Sequence, residues 1–143
     1  MREIVTQIEI NAPAQRVWQI LLDFDRYPQW NPFIKNISGE AKAGGRLNVR
    51  IHPPNSRAMT FKPTVLKAEP DRELRWLGRL LIPGLFDGEH RFVIEPIDEN
   101  RVFFTHAERF NGLLVPLLWK SLDTQTREGF MQMNAALKKL AES

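Results

Sequence analysis

Two histidines and a glutamate stand where strands should be apolar, and they are the side chains of this sequence best placed to do chemistry. From Gly88 to Glu95 the residues alternate, which puts His90, Phe92 and Ile94 on one face of a strand and Glu89, Arg91 and Glu95 on the other. From Val102 to Phe110 the alternation repeats, with Val102, Phe104, His106, Glu108 and Phe110 sharing a face. The polar residues therefore point with the apolar set. Burying such groups costs roughly 1–3 kcal/mol each unless they are paired, hydrated or kept for use. The pattern predicts a cavity with a polar patch.

The segment Asp98-Glu99-Asn100 reads as the loop of a hairpin joining these two strands. With Glu99 at its centre, Ile97 faces Arg101, Phe92 faces His106, and His90 faces Glu108. A carboxylate beside an imidazole favours the protonated ring, so such a pair suits proton transfer or the anchoring of a ligand's polar end. The same pair also fits a purely structural role beneath a helix, with Thr126 or Gln125 as further partners. Two histidines and one carboxylate formally match a metal triad. Nothing else in the sequence supports a metal.

The elements that must position these residues follow from periodicity and punctuation. Ile4 to Ile10 alternates as a first strand, and Pro13 opens a helix carrying Val17, Trp18, Leu21 and Leu22 at helical spacing. Asp25 to Pro32 is aromatic but broken by two prolines, which leaves room for a short helical turn. Ile34–Glu40, Arg46–His52, Met59–Ala68 and Arg72–Leu80 are strand candidates separated by glycine- and proline-rich turns, and they form a meander with the two strands that follow. Leu117 to Ala141 lacks proline and carries Trp119, Leu122, Thr126, Phe130, Met133, Leu137 and Leu140 every three or four residues, the signature of one long amphipathic helix. Only that helix is long enough to cover the apolar face of the sheet, so the sheet is expected to curl around it.

Composition narrows the function classes. The 143 residues are 43% hydrophobic and 26% charged, as in one ordinary globular domain spanning 1–143. The net charge of +3 is scattered without a basic run, which argues against nucleic acid as a partner. There is no cysteine, which excludes disulfides and thiolate chemistry and fits a reducing cytoplasm. No apolar stretch approaches the ~20 residues of a membrane helix. No phosphate loop, nucleophile elbow or zinc-protease pattern appears, so no cofactor is expected.

Ala12-Pro13 followed by Val17-Trp18, then Tyr27-Pro28-Gln29-Trp30-Asn31-Pro32, Gly88-Glu89-His90-Arg91-Phe92 and Glu108-Arg109-Phe110-Asn111-Gly112, taken in order, resemble the SRPBCC superfamily. The likeness is to its START and Bet v 1-like helix-grip domains, most of all the polyketide cyclase/dehydrase-like branch, and it covers essentially the whole chain. It implies an α+β helix-grip fold: a curved antiparallel sheet around a long C-terminal helix, with two short helices after the first strand and an apolar cavity between sheet and helix. It implies no single reaction, since similar folds bind lipids or hormones while some catalyse cyclisation or dehydration.

A cavity between sheet and helix is expected to be lined by Trp76, whose strand also turns Gly78 inward, and by Phe92, Phe104, Phe130 and Met133. Its polar end would be His90, His106 and Glu108, and a void above ~300 Å³ would have the size of a ligand pocket. Met131 and Met133 read as helix core, or as adaptable lining where the cavity exists. Two apolar loops, Leu80–Phe86 and Leu113–Leu118, fall at one end of the sheet and suit a cavity mouth, a lip in transient membrane contact, a homodimer interface, or simple packing against each other and Trp119. The leading expectation is a binding protein for a small apolar or lipid-like molecule. The alternative is a cyclase or dehydratase using His90 and Glu108 for proton transfer, and a third reading is a filled-core domain acting through its loops.

Overall fold

The computed structural model describes residues 1–80 and 82–143; Leu81, expected within the first apolar loop, lies outside them. Strand β1 (Arg2–Ile10) leads into helix α1 (Ala14–Leu22), a single 3-10 turn, and the short α2 (Tyr27–Trp30). The Tyr27 hydroxyl donates to the Leu21 carbonyl at 2.6 Å, tying the short helix to the longer one, and burial pushes its pKa far above the usual phenol range. Among the described residues seven further strands follow: β2 (Ile34–Gly39), β3 (Leu47–Ile51), β4 (Met59–Phe61), β5 (Thr64–Glu69), β6 (Glu73–Arg79), β7 (Asp87–Asp98) and β8 (Arg101–Asn111). The chain ends in α3 (Val115–Ser121), a π-helical turn over Leu122–Thr126, and α4 (Arg127–Ala141), which run on as one helix.

The strands form an antiparallel sheet in the order β1-β8-β7-β6-β5 and a smaller one in the order β2-β3-β4. The expected strand over 59–68 is therefore divided. Pro63 has no N–H to give a ladder, so pairing stops at Lys62-Pro63, and the halves belong to different sheets. A bridge between Arg46 and Thr64, and hydrogen bonds from Leu47 N to Pro63 O and from Val65 N to Gly45 O, keep the two sheets joined. The resulting curved surface wraps α4, whose Phe130, Met133 and Leu137 are fully buried. Met131 points outward at 51% exposure, contrary to its reading as core, because the helix turns it away from the sheet. Gly129 lies where the helix meets Phe33, and a side chain there would collide with the Phe33 ring.

The register of the last hairpin places His90 opposite Glu108 and Phe92 opposite His106. Its turn is tighter than the expected three-residue loop: Asp98 faces Arg101, and the register shifts between Pro96 and Asp98, where Ile97 bulges out at 47% exposure. Shorter loop and bulge compensate, so every pair from Pro96 inward keeps the register of a loop centred on Glu99.

Candidate functional site

Five side chains and one backbone carbonyl form a hydrogen-bonded line from the far side of the core to a cavity wall. Thr6, on β1 directly opposite His106, donates its hydroxyl proton to the His106 carbonyl at 2.7 Å. Having used that proton, Thr6 Oγ1 accepts from Asn134 Nδ2 at 2.9 Å, and Asn134 Oδ1 lies 2.9 Å from His106 Nδ1. His106 Nε2 is 2.7 Å from His90 Nε2, and His90 Nδ1 is 3.1 Å from Glu108 Oε1. Burial, then the neighbouring His90, push the pKa of His106 well below the ordinary histidine range, and the ring is neutral.

Aromatic rings hold both imidazoles. Trp76 stacks on His90 with centroids 5.0 Å apart, and Phe130 stacks on His106 at 4.0 Å with planes 12° apart. The two histidines meet nitrogen to nitrogen, which leaves no space for an ion between them, and among the described residues no three His, Asp or Glu side chains are grouped to hold one. The partners anticipated from the sequence for a structural pair, Thr126 and Gln125, are not used; Asn134, one helical turn on from Phe130, takes that place.

Glu108 and His90 border a partly enclosed cavity of about 270 Å³, slightly below the ~300 Å³ at which ligand pockets ordinarily begin. Its walls come from both sheets and the helix: Trp76 and Gly78 on β6, Gly88 and His90 on β7, Glu108 and Phe110 on β8, Phe33, Met59 and Phe61 across from them, and Leu118, Leu122 and Thr126 from the helix. The π-helical turn supplies two of these residues, in keeping with the habit of such turns to occur at functional sites. Phe61 lies over Gly78, where a methyl group would come within 3.2 Å of its ring. Gly88 makes room for the Glu108 carboxylate, since a methyl group there would collide with Oε2.

Of the residues expected to form the site, Trp76, His90 and Glu108 line this cavity. Phe92, Phe104, Phe130, Met133 and His106 do not: all five are 0% exposed and fill the core behind the wall. The opening lies toward the Gly78–Gly88 end of the sheet, where small residues leave space, while large rings close the rest. Phe33 and Phe61 line it without having been singled out in the sequence, because they arrive from other elements, and Phe86 joins them from the apolar loop read as a candidate cavity mouth. Asn31 Oδ1 fixes Phe33 by accepting from the backbone N–H groups of Phe33 and Ile34 at 2.9 and 2.8 Å.

The two apolar loops bind each other, with Leu113 N donating to Gly84 O and Leu114 N to Leu85 O at 3.1 and 3.0 Å. Leu80, Phe86 and Leu118 turn inward to the cavity, whereas Ile82, Leu113 and Leu117 remain 63%, 83% and 80% exposed. Among the described residues no helix is long and apolar enough to cross a membrane.

Known proteins share this architecture. The START superfamily protein from Mycobacterium smegmatis superposes with a TM-score of 0.78 at 20% identity, covering 98% of this chain and 97% of that one. The Zhui aromatase/cyclase from Streptomyces sp. R1128 gives 0.81 at 15% identity, covering 99% and 93%. A norcoclaurine synthase point mutant from Thalictrum flavum, solved with a transition-state analogue, gives 0.73 at 12%, covering 98% and 93%. At such identities the likeness establishes the helix-grip fold alone. No curated protein sequence matches the chain. The family model described as polyketide cyclase/dehydrase and lipid transport matches residues 1–142, and the chain belongs to that family.

Proposed function

We propose that this protein is a cytoplasmic binder of a small, mainly apolar molecule whose polar end meets Glu108, with His90 behind it. The observation that supports this reading is the placement of the Glu108–His90 pair at the wall of an otherwise apolar, partly open cavity. An apolar wall supplies most of the affinity through area removed from water, and one polar group fixes the orientation. The exposed Ile82, Leu113 and Leu117 continue the cavity mouth outward and suit transient contact with a membrane surface from which such a molecule could be drawn.

A second reading is an enzyme of the cyclase or dehydratase type. It is favoured by one observation, that an imidazole and a carboxylate share a hydrogen bond at the cavity wall, the arrangement needed to pass a proton to and from an enolisable carbonyl compound.

Native mass spectrometry of the purified protein is expected to show a co-purifying small molecule. Titration with the matched probes 2-naphthol and naphthalene, followed by fluorescence, isolates the polar contact, since the two differ only in a hydroxyl that can donate to Glu108. Tighter binding of 2-naphthol is expected; equal affinities would remove the polar anchor from the reading, and no binding of either would leave only a filled-core domain. Gly88→Ala provides an independent check. Its methyl group must displace the flexible Glu108 carboxylate rather than backbone, so the fold should survive while the preference for 2-naphthol falls by about fivefold or more.

A further inference from the structure

The line of hydrogen bonds behind the cavity has a direction, and that direction fixes how many protons the wall holds. A threonine hydroxyl has one proton, and Thr6 gives it to the His106 carbonyl. Its oxygen can then only accept, which turns the amide of Asn134 so that Nδ2 faces Thr6 and Oδ1 faces His106. His106 must therefore carry its proton on Nδ1, and as a neutral ring it offers only a lone pair at Nε2. His90 Nε2, 2.7 Å away, has to be the donor across that contact. What remains at His90 Nδ1, facing a carboxylate oxygen at 3.1 Å, is a hydrogen bond that exists only if one further proton sits between the two groups.

The opposite direction would satisfy the same heavy atoms with one proton fewer. His106 would donate from Nε2 to His90 Nε2, and a neutral His90 would donate from Nδ1 to an ionised Glu108. The site would then hold a fixed negative charge and no proton to exchange. The choice between the two arrangements is made about the width of two imidazoles away from the cavity, at residues that do not line it.

We propose that Asn134 and Thr6 are positioning residues that set the tautomer of His106 and thereby keep one exchangeable proton on the Glu108–His90 pair. The cavity wall is thus electrically balanced in the free protein, and it can meet a ligand's polar end either as an acceptor, with the proton on His90, or as a donor, with the proton on Glu108. This deepens the ligand-anchor reading by saying what the anchor presents, but it is tested on the protein without ligand, so failure of the binding reading would leave it standing. Both residues are buried, Thr6 at 8% and Asn134 at 3% exposure, and their line to the carboxylate passes only through the two histidine rings.

The test is long-range proton–nitrogen correlation NMR of the histidine rings in 15N-labelled protein with no ligand added, with the exposed His52 as internal reference. In the wild type His106 is expected to show a protonated Nδ1 and bare Nε2, and His90 a protonated Nε2. Asn134→Leu removes the acceptor at nearly constant volume and is expected to reverse both rings, leaving His106 Nδ1 and His90 Nε2 bare. Asn134→Asp restores an acceptor and is expected to restore the wild-type pattern, which a merely structural role for Asn134 would not require. A bare Nδ1 on His106 in the wild type, or an unreversed pattern in folded Asn134→Leu, overturns the proposal. If Asn134→Leu does not fold, Thr6→Val serves: freed from the hydroxyl, the Asn134 amide can turn either way and both His106 tautomers should appear, and a spectrum unchanged from wild type is the overturning result.

Discussion

Phe130→Ala is expected to destabilise the protein by about 3–5 kcal/mol, the range for truncating a buried phenylalanine. The ring is 0% exposed, stacks on His106 with centroids 4.0 Å apart, and meets Phe33 edge-on at 5.4 Å. Its loss would remove the floor on which the His106 imidazole rests and leave a hole the surrounding strands cannot close. For a chain of this length each kcal/mol moves the melting temperature by very roughly 3–4 °C, so calorimetry should register a fall of about 10–20 °C. Had Phe130 lined the cavity, as its helical spacing led one to expect, removing the ring would enlarge a space already open and cost less. A loss below about 1 kcal/mol would return it to the cavity wall.

The position of Phe130 shows what a sequence reveals about such a fold and what it withholds. Alternation identifies the face a strand residue occupies, and it correctly turned His90, Phe92, Phe104, His106 and Glu108 inward. It does not give depth. Whether an inward ring borders a void or plugs it depends on what crosses from the other side, and here Phe33, just before β2, and Phe61, on β4 of the smaller sheet, help to define the cavity while Phe92, Phe104 and Phe130 fill the core. The π-helical turn was equally hidden, because apolar spacing of three and four continues through it; Leu118 and Leu122 border the cavity, and Phe130 and Met133 fill the core farther along the same helix.

Other features left a legible signal. Thr6 alternates with Ile4 and Ile8, and Asn134 lies four residues after Phe130 and three before Leu137, so each is a polar residue on an apolar stripe. That is the same anomaly that made His90 conspicuous, and the structure joins all of them in one network. The register of His90 and Glu108 was legible for a less secure reason. The loop and the bulge at Ile97 are each different from the simple hairpin, and only their compensation preserves the pairing.

Glu108→Gln is expected to weaken binding of 2-naphthol by about 1–3 kcal/mol, or roughly 5- to 150-fold, while leaving naphthalene binding unchanged. Glutamine has the same shape, and its amide can still meet His90 Nδ1 as donor or acceptor, so packing around the site should survive. What it cannot do is carry a charge or share a proton. The carboxylate is 15% exposed at the cavity wall, where water screens it less than at the open surface, so a hydroxyl donating to it gains more than one donating to a neutral amide. If the protein instead transforms its natural ligand, the same substitution should lower turnover by about 10²–10⁴-fold with affinity largely intact, because the lost interaction is made while the proton moves. If the pair is only structural, the melting temperature alone should respond. Titration, turnover and calorimetry on the one variant therefore separate binder, enzyme and scaffold; an unchanged preference for 2-naphthol over naphthalene would sink the anchor, because among the described residues that border the cavity Glu108 alone is able to carry a negative charge to that hydroxyl.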